Sequence, residues 1–205
     1  MKGFLKGYYQ FSEWAMRLAY VNILWVVFTI VGLGIFGLMP ATAGMFAVAR
    51  KWASGDVEIK IFPTFWNSYR KEFVKSNLLG YILIGIGYIL YIELQILRTQ
   101  ESMVYFIASF GVLALCVILL IILLYIFPIF VHFNLSTLQN IRWAFIIGII
   151  HPILTIVLIA GIGLIHYITY MTIPALLFLF GGSVTAFVLT WGASKTFSKF
   201  EHVNV

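Results

Sequence analysis

PATAGMFAVARKW, residues 40–52, decides how this chain is threaded. It opens on a proline, runs through small and apolar residues, and ends with two adjacent cations, Arg50 and Lys51, before Trp52. Upstream the sequence is apolar, and no charged residue occurs in the 32 positions from Leu18 to Ala49. One helix of that length would measure about 48 Å, against a hydrocarbon core of about 30 Å. The stretch must therefore break or emerge. Gly32, Gly34, Gly37 and Pro40 supply the break, and Pro40 suits the first turn of a new helix.

Two threadings follow. If residues 18–39 cross fully, the basic residues divide nine (Arg50, Lys51, Lys60, Arg70, Lys71, Lys75, Arg142, Lys195, Lys199) against four (Lys2, Lys6, Arg17, Arg98). If residues 18–36 enter and residues 40–53 return as a short arm, the split is twelve against one, with Arg98 alone. The positive-inside rule favours this hairpin. An unbroken apolar segment of spanning length favours the crossing. The balance leans to the hairpin, and the carboxyl terminus is expected in the cytoplasm under both.

Composition fixes the class. Of 205 residues 62% are hydrophobic and only 10% charged, with a mean hydropathy of +1.04. Soluble domains carry roughly 25% charged residues, so the expectation is an all-α polytopic membrane helix bundle forming one domain over residues 1–205. The longest polar connection falls within residues 50–76. The net charge of +6 reads as orientation and contact with anionic headgroups, with no nucleic-acid role. Residues 1–17 do not read as a cleavable signal, because the apolar run is too late and too long. Cys116, in an apolar run, reads as packing.

Four later segments reach the length of about 20 apolar residues needed to span as helix: 78–97, 103–127, 143–165 and 172–192. Pro128 stops or kinks the second, Pro152 lies inside the third, and Gly181-Gly182 falls near the middle of the fourth. The expected connectors are 98–102, 134–142 and 166–171. Two amphipathic segments are expected at the interface. Residues 2–17 carry a stripe of Lys2, Lys6, Gln10, Glu13 and Arg17 opposite Phe4, Tyr8 and Phe11. Residues 61–76 carry Phe62, Phe65, Trp66, Tyr69 and Phe73 at helical spacing, with Arg70, Lys71 and Lys75 elsewhere.

Ala43 and Ala47 form a small-x-x-x-small face suited to close helix packing. With Arg50, Lys51, Trp66, Arg70, Lys71 and Lys75 they are the candidate partner-facing residues. Two intramembrane polar candidates remain, since such groups are costly in lipid. Glu93 lies near the far end of its span, close to Arg98. His151 precedes Pro152, where it could take a carbonyl that the proline leaves without a donor. His132 marks the end of a span, while His166 and His202 read as loop and tail residues. The sequence shows no zinc spacing, nucleophile elbow, phosphate loop or aspartate pair, so neither enzymatic activity nor a cofactor is expected.

FSEWAMRLAYVNILW, PATAGMFAVARKW and FWNSYRKEFVKSNLLG together resemble the YesL-like family of small bacterial membrane proteins, a domain of unknown function. The resemblance is densest over residues 3–80. It implies a bacterial cell membrane and gene neighbours that encode carbohydrate ABC transporters and sensors. It carries over no catalytic residue. The expectation is a non-enzymatic accessory protein that binds such a permease or sensor in the bilayer. The alternative is a small transporter or channel, using the Gly32–Pro40 break, His151-Pro152 and Gly181-Gly182-Ser183.

Overall fold

A computed structural model of the chain describes residues 2–99 and 102–201, with side chains from 7 to 197 within those limits. Every regular element among them is helical: α1 (Lys2–Val31), α2 (Ile35–Ala53), α3 (Ile61–Lys71), α4 (Phe73–Arg98), α5 (Met103–His132), α6 (Thr137–Ile150), α7 (Pro152–Thr172) and α8 (Ala175–Glu201). Five stretches are long and apolar enough to cross a membrane: Gly7–Val31, Phe73–Arg98, Met103–His132, Pro152–Thr172 and Ala175–Phe197. The result is a multi-pass helix bundle. His202 lies outside the described residues, as do the side chains of Lys2, Phe4, Lys6 and Lys199.

The amphipathic start and the first apolar run form one continuous helix, α1. It ends in a reversal at Gly32, Leu33 and Gly34, where Leu33 (φ 60°) and Gly34 (φ 73°) adopt left-handed backbone. Gly34 takes that conformation without the penalty of a Cβ. Beyond it α2 packs back along α1, and the two backbones touch through Gly32 and Gly37, where any Cβ would collide with the opposite strand of the reversal. The return therefore begins at Ile35, five residues before Pro40. Pro40 lies inside α2 rather than starting it. Its missing N–H leaves the Phe36 carbonyl without a helical donor, and the Asn77 amide of α4 donates to that carbonyl at 2.9 Å.

The tip of the reversal stops early along α4. Tyr81 approaches the Ile35 carbonyl at 3.5 Å, while Arg98 lies another 17 residues on, about 25 Å further along the helix. Far from resting on the surface, α2 is the centre of the bundle. It packs on α1, α3, α4, α5 and α8, and Ala41, Ala43, Met45, Phe46, Val48, Ala49 and Trp52 are buried. Small side chains at Ala41, Ala43, Gly44 and Ala49 let so many neighbours approach.

Several boundaries differ from the sequence reading. The amphipathic helix ends at Lys71 rather than residue 76, and Lys75 belongs to the first turn of α4. The expected single span 143–165 is two helices, because His151 adopts φ −117° and ψ 61° ahead of Pro152. A proline disfavours helical backbone in the residue before it. α6 starts at Thr137, inside the expected connector, with a capping box between Ser136 and Gln139. The expected connector 166–171 is part of α7, and the last span begins at Ala175. Phe197 packs on His132 and Phe133, which returns α8 to the end of the bundle where α5 finishes.

Candidate interaction site at the basic end

One side of α3, the ends of α2 and α5 and the start of α4 enclose an open groove of about 500 Å³. Arg50, Lys51, Lys71 and Lys75 line it together with Glu72, Asn67, Ser68, Asn134 and the edge of Ala47. Arg50 is fixed by the break of α5: its Nη1 donates to the carbonyl of Val131 and, at 3.4 Å, to that of His132. These carbonyls lie in the last turn of α5, where no helical donor follows. The Lys75 ammonium sits over the Phe130 ring, 5.5 Å from its centroid. Lys51 pairs loosely with Asp56 at 3.8 Å. Nearby, Arg17 bonds Glu13 on α1 and donates to the Val57 carbonyl at 2.8 Å, which ties α1 to the loop after α2.

α3 presents two faces. Phe65 and Tyr69 are buried, with Phe65 against Gly44 and both rings beside Phe28. The Tyr69 hydroxyl donates to the Phe28 carbonyl at 3.3 Å, and burial pushes that phenol up, so it stays a neutral donor. The aromatic stripe expected at the headgroups is thus largely an inward packing face. Arg70 is exposed on the other side, over the Trp66 ring at 5.6 Å and next to Asn67 and Lys71. Ala43 is buried under α3, and the Ser68 hydroxyl donates to its carbonyl at 3.3 Å. The small face of α2 therefore meets a helix of its own chain, and only Ala47 reaches the groove.

The two intramembrane candidates lie apart from this groove. Glu93 is exposed on the far half of α4 and makes no ion pair with Arg98. His151 caps the α6–α7 break, but its Nε2 is buried with no hydrogen-bond partner among the described residues. Pro152 leaves the Gly148 carbonyl without its helical donor, and the residue that approaches it is Thr155, at 3.0 Å. Tyr125 of α5 bonds the same hydroxyl at 2.9 Å. Thr155 does what the sequence assigns to His151, because one turn into α7 its hydroxyl points back at the break.

His166, read as a loop residue, is inside α7. Its Nδ1 bonds the Ile162 carbonyl at 2.9 Å and its Nε2 lies 3.4 Å from the Thr185 hydroxyl. Beside it a cavity of about 290 Å³ is lined by Trp25, Thr42, Met45, Phe46, Gly181 and Gly182. Asn22 of α1 enters α8 here, donating to the Phe178 carbonyl and accepting from the Ser183 N–H at 3.1 Å. Only the Gly181-Gly182 pair hints at this in sequence: a Cβ on Gly182 would come within 2.9 Å of the Asn22 oxygen.

Residues 18–94, from mid-α1 to the far part of α4, match the family described as "Protein of unknown function, DUF624". Three proteins of Bacillus subtilis (strain 168), each described as uncharacterized, are similar over most of the chain. YesL is 34% identical over 195 residues, 95% of this chain and 91% of its own. YesV is 32% identical over 193 residues, 94% and 92%. YteU is 38% identical over 151 residues, 74% and 68%. No solved structure matches.

Proposed function

This chain belongs to the DUF624, or YesL-like, family, and on that premise we propose that it is a non-enzymatic accessory protein of the bacterial cell membrane that docks a partner at its basic end. One observation carries the reading. α3 is held by its buried Phe65 and Tyr69, while Arg70 and Lys71 are exposed and the half-buried Trp66, packed on Phe28 and Tyr69, lies under the Arg70 guanidinium at the edge of the helix. Tryptophan and arginine are the residue types that dominate interface energetics, and a pre-fixed helix lowers the ordering cost of binding. The gene company of the family that the sequence resembles makes a permease or sensor subunit of a carbohydrate ABC transporter the partner of choice. The positive-inside rule puts this end, and the end of α8 with it, in the cytoplasm.

Purification of the tagged full chain from its native host in mild detergent tests the docking. A permease or sensor subunit is expected to co-elute and to be lost with Trp66→Ala/Arg70→Glu. Recovery of the chain alone, under conditions that preserve such complexes, overturns the proposal. For orientation, a cysteine at Ser54 in a Cys116→Ser background is expected to resist an impermeant maleimide in intact cells, while one at Arg98 reacts. The opposite pattern reverses the assignment.

The cavity beside His166 supports a second reading, a small transporter in its own right, since transporters place broken helices and polar groups deep in the membrane. Flux into liposomes that is abolished by His166→Ala is its expected signature. Liposomes containing the protein that show no flux of candidate solutes remove it.

A further inference from the structure

The groove itself has a use that partner docking does not require. Among its lining residues four cations, Arg50, Lys51, Lys71 and Lys75, meet one carboxylate, Glu72. Holding four cations around one open volume carries a mutual repulsion that a bound anion relieves. Only part of that charge is used internally. Both Arg50 bonds come from Nη1, which leaves its remaining nitrogens to a ligand. Lys71 is exposed at the rim, and Asn67, Ser68 and Asn134 add neutral donors.

The location selects the kind of anion. Phe130, Val131, His132 and Phe133 form one wall, at the last turn of the 30-residue helix α5. Lys75 is in the first turn of α4, another helix of spanning length. The groove therefore opens where two helices of spanning length end together, which in a bilayer is the level of phospholipid headgroups. Lysine binds phosphate as a point charge and arginine as a fork. Basic pockets between membrane helices on the cytoplasmic side suit anionic headgroups.

We infer that this groove is a binding site for the phosphodiester headgroup of an anionic phospholipid of the adjoining leaflet. Arg50, Lys71 and Lys75 face the phosphate, and Phe130 and Phe133 lie against the glycerol. The inference shares Lys71 and the basic end with the docking proposal but not Trp66 and Arg70.

Native mass spectrometry of the full chain in detergent, titrated with phosphatidylglycerol or phosphatidylcholine, tests it. Phosphatidylglycerol is expected to bind at least ten-fold more tightly, and Lys71→Gln/Lys75→Gln to weaken it at least ten-fold. Arg98→Gln, at the other end of α4, is expected to change nothing. Should the double variant fail to elute as a folded monodisperse species, competition on the wild-type chain decides. Glycerol-1-phosphate, the soluble headgroup analogue, is expected to displace the lipid only at far higher concentration. Equal binding of the two lipids, equal loss with Arg98→Gln, or equal affinity for the soluble phosphate each overturns the inference. Loss of partner co-elution with Trp66→Ala/Arg70→Glu while lipid preference persists separates this site from the docking surface.

Discussion

On the helix pair α4 and α5, residues 76–83 and 122–130 hold nearly all the buried side chains, whereas 84–98 and 103–121 hold only one, Leu90. Both parts are apolar, so composition does not distinguish them. What differs is whether polar side chains and glycines meet another helix, since Glu93 and Gln95 of the outer part are exposed. The packed part contains Ser76, Asn77, Tyr125 and Pro128. It also contains Gly80, where a Cβ would run into Met39. The outer part contains Gly85 and Gly111, which have nothing within 4 Å of a Cβ. Lipid accepts any apolar surface, but only another helix can supply a hydrogen bond or demand a missing side chain.

Glycine substitutions break this comparison most severely. Gly37→Val places methyls against the Thr29 and Phe28 carbonyls and the Gly32 backbone, none of which is a flexible tip. Overpacking of this kind costs about 3 kcal/mol, and a large drop in thermal midpoint in detergent is expected. Gly111→Ala, in the outer arm, is expected to be neutral or stabilising by about 0.5–1 kcal/mol, since alanine is the better helix former. Equal losses at the two sites would mean that the outer arm is packed as tightly as the inner end.

The second contrast concerns the carbonyl freed by Pro40. Asn77→Leu removes the amide that serves Phe36 and is expected to cost about 1–3 kcal/mol, the penalty for an orphaned buried acceptor. Pro40→Ala restores a backbone donor, so in its presence Asn77→Leu is expected to cost markedly less. A double-mutant cycle read by thermal unfolding checks this, and strict additivity would remove the coupling between the two sites.

The smallest effect is a pH dependence at the inner end. Burial raises the Tyr69 phenol above its ordinary value of 10.0. The folded chain then holds that proton more tightly than the unfolded one. The corresponding stability is complete below pH 10 and is lost as pH rises through the folded value. Tyr69→Phe is expected to flatten the alkaline limb of the stability profile, and an unchanged limb would assign it to other groups.

Much of the helical content was legible residue by residue. The low charge and the apolar runs require membrane helices with a break or an exit around Gly32–Pro40, and the structure makes that break a reversal. Arg50, Lys51, Lys71 and Lys75 could be picked out as a basic cluster, and the structure brings them to one groove. Arg70 falls on the opposite edge of α3, over the half-buried Trp66. The inner aromatics misled, because a stripe of Phe65, Tyr69 and Phe73 has the same periodicity whether it faces headgroups or a helical hairpin. His151 misled for a related reason: its chemistry suits a free carbonyl, but Thr155 has the geometry. His166 was missed because residues 166–171 read as a break, and α7 continues through them.

By itself the sequence determined the class of solvent, the need for helices, a break after the first apolar run and the excess of positive charge on one side, while it left open whether the chain crosses or turns back at that break. These follow from counting, because lipid tolerates few charges and no unpaired backbone. The tertiary structure alone decided that PATAGMFAVARKW is the buried centre, and that Asn77 and Thr155 serve carbonyls which prolines leave open. It also decided that Ala43 packs under the chain's own α3 while Ala47 looks into the groove. The reason is that an apolar or small residue is equally content against lipid or protein. Which of the two it meets depends on where distant helices place their few polar donors.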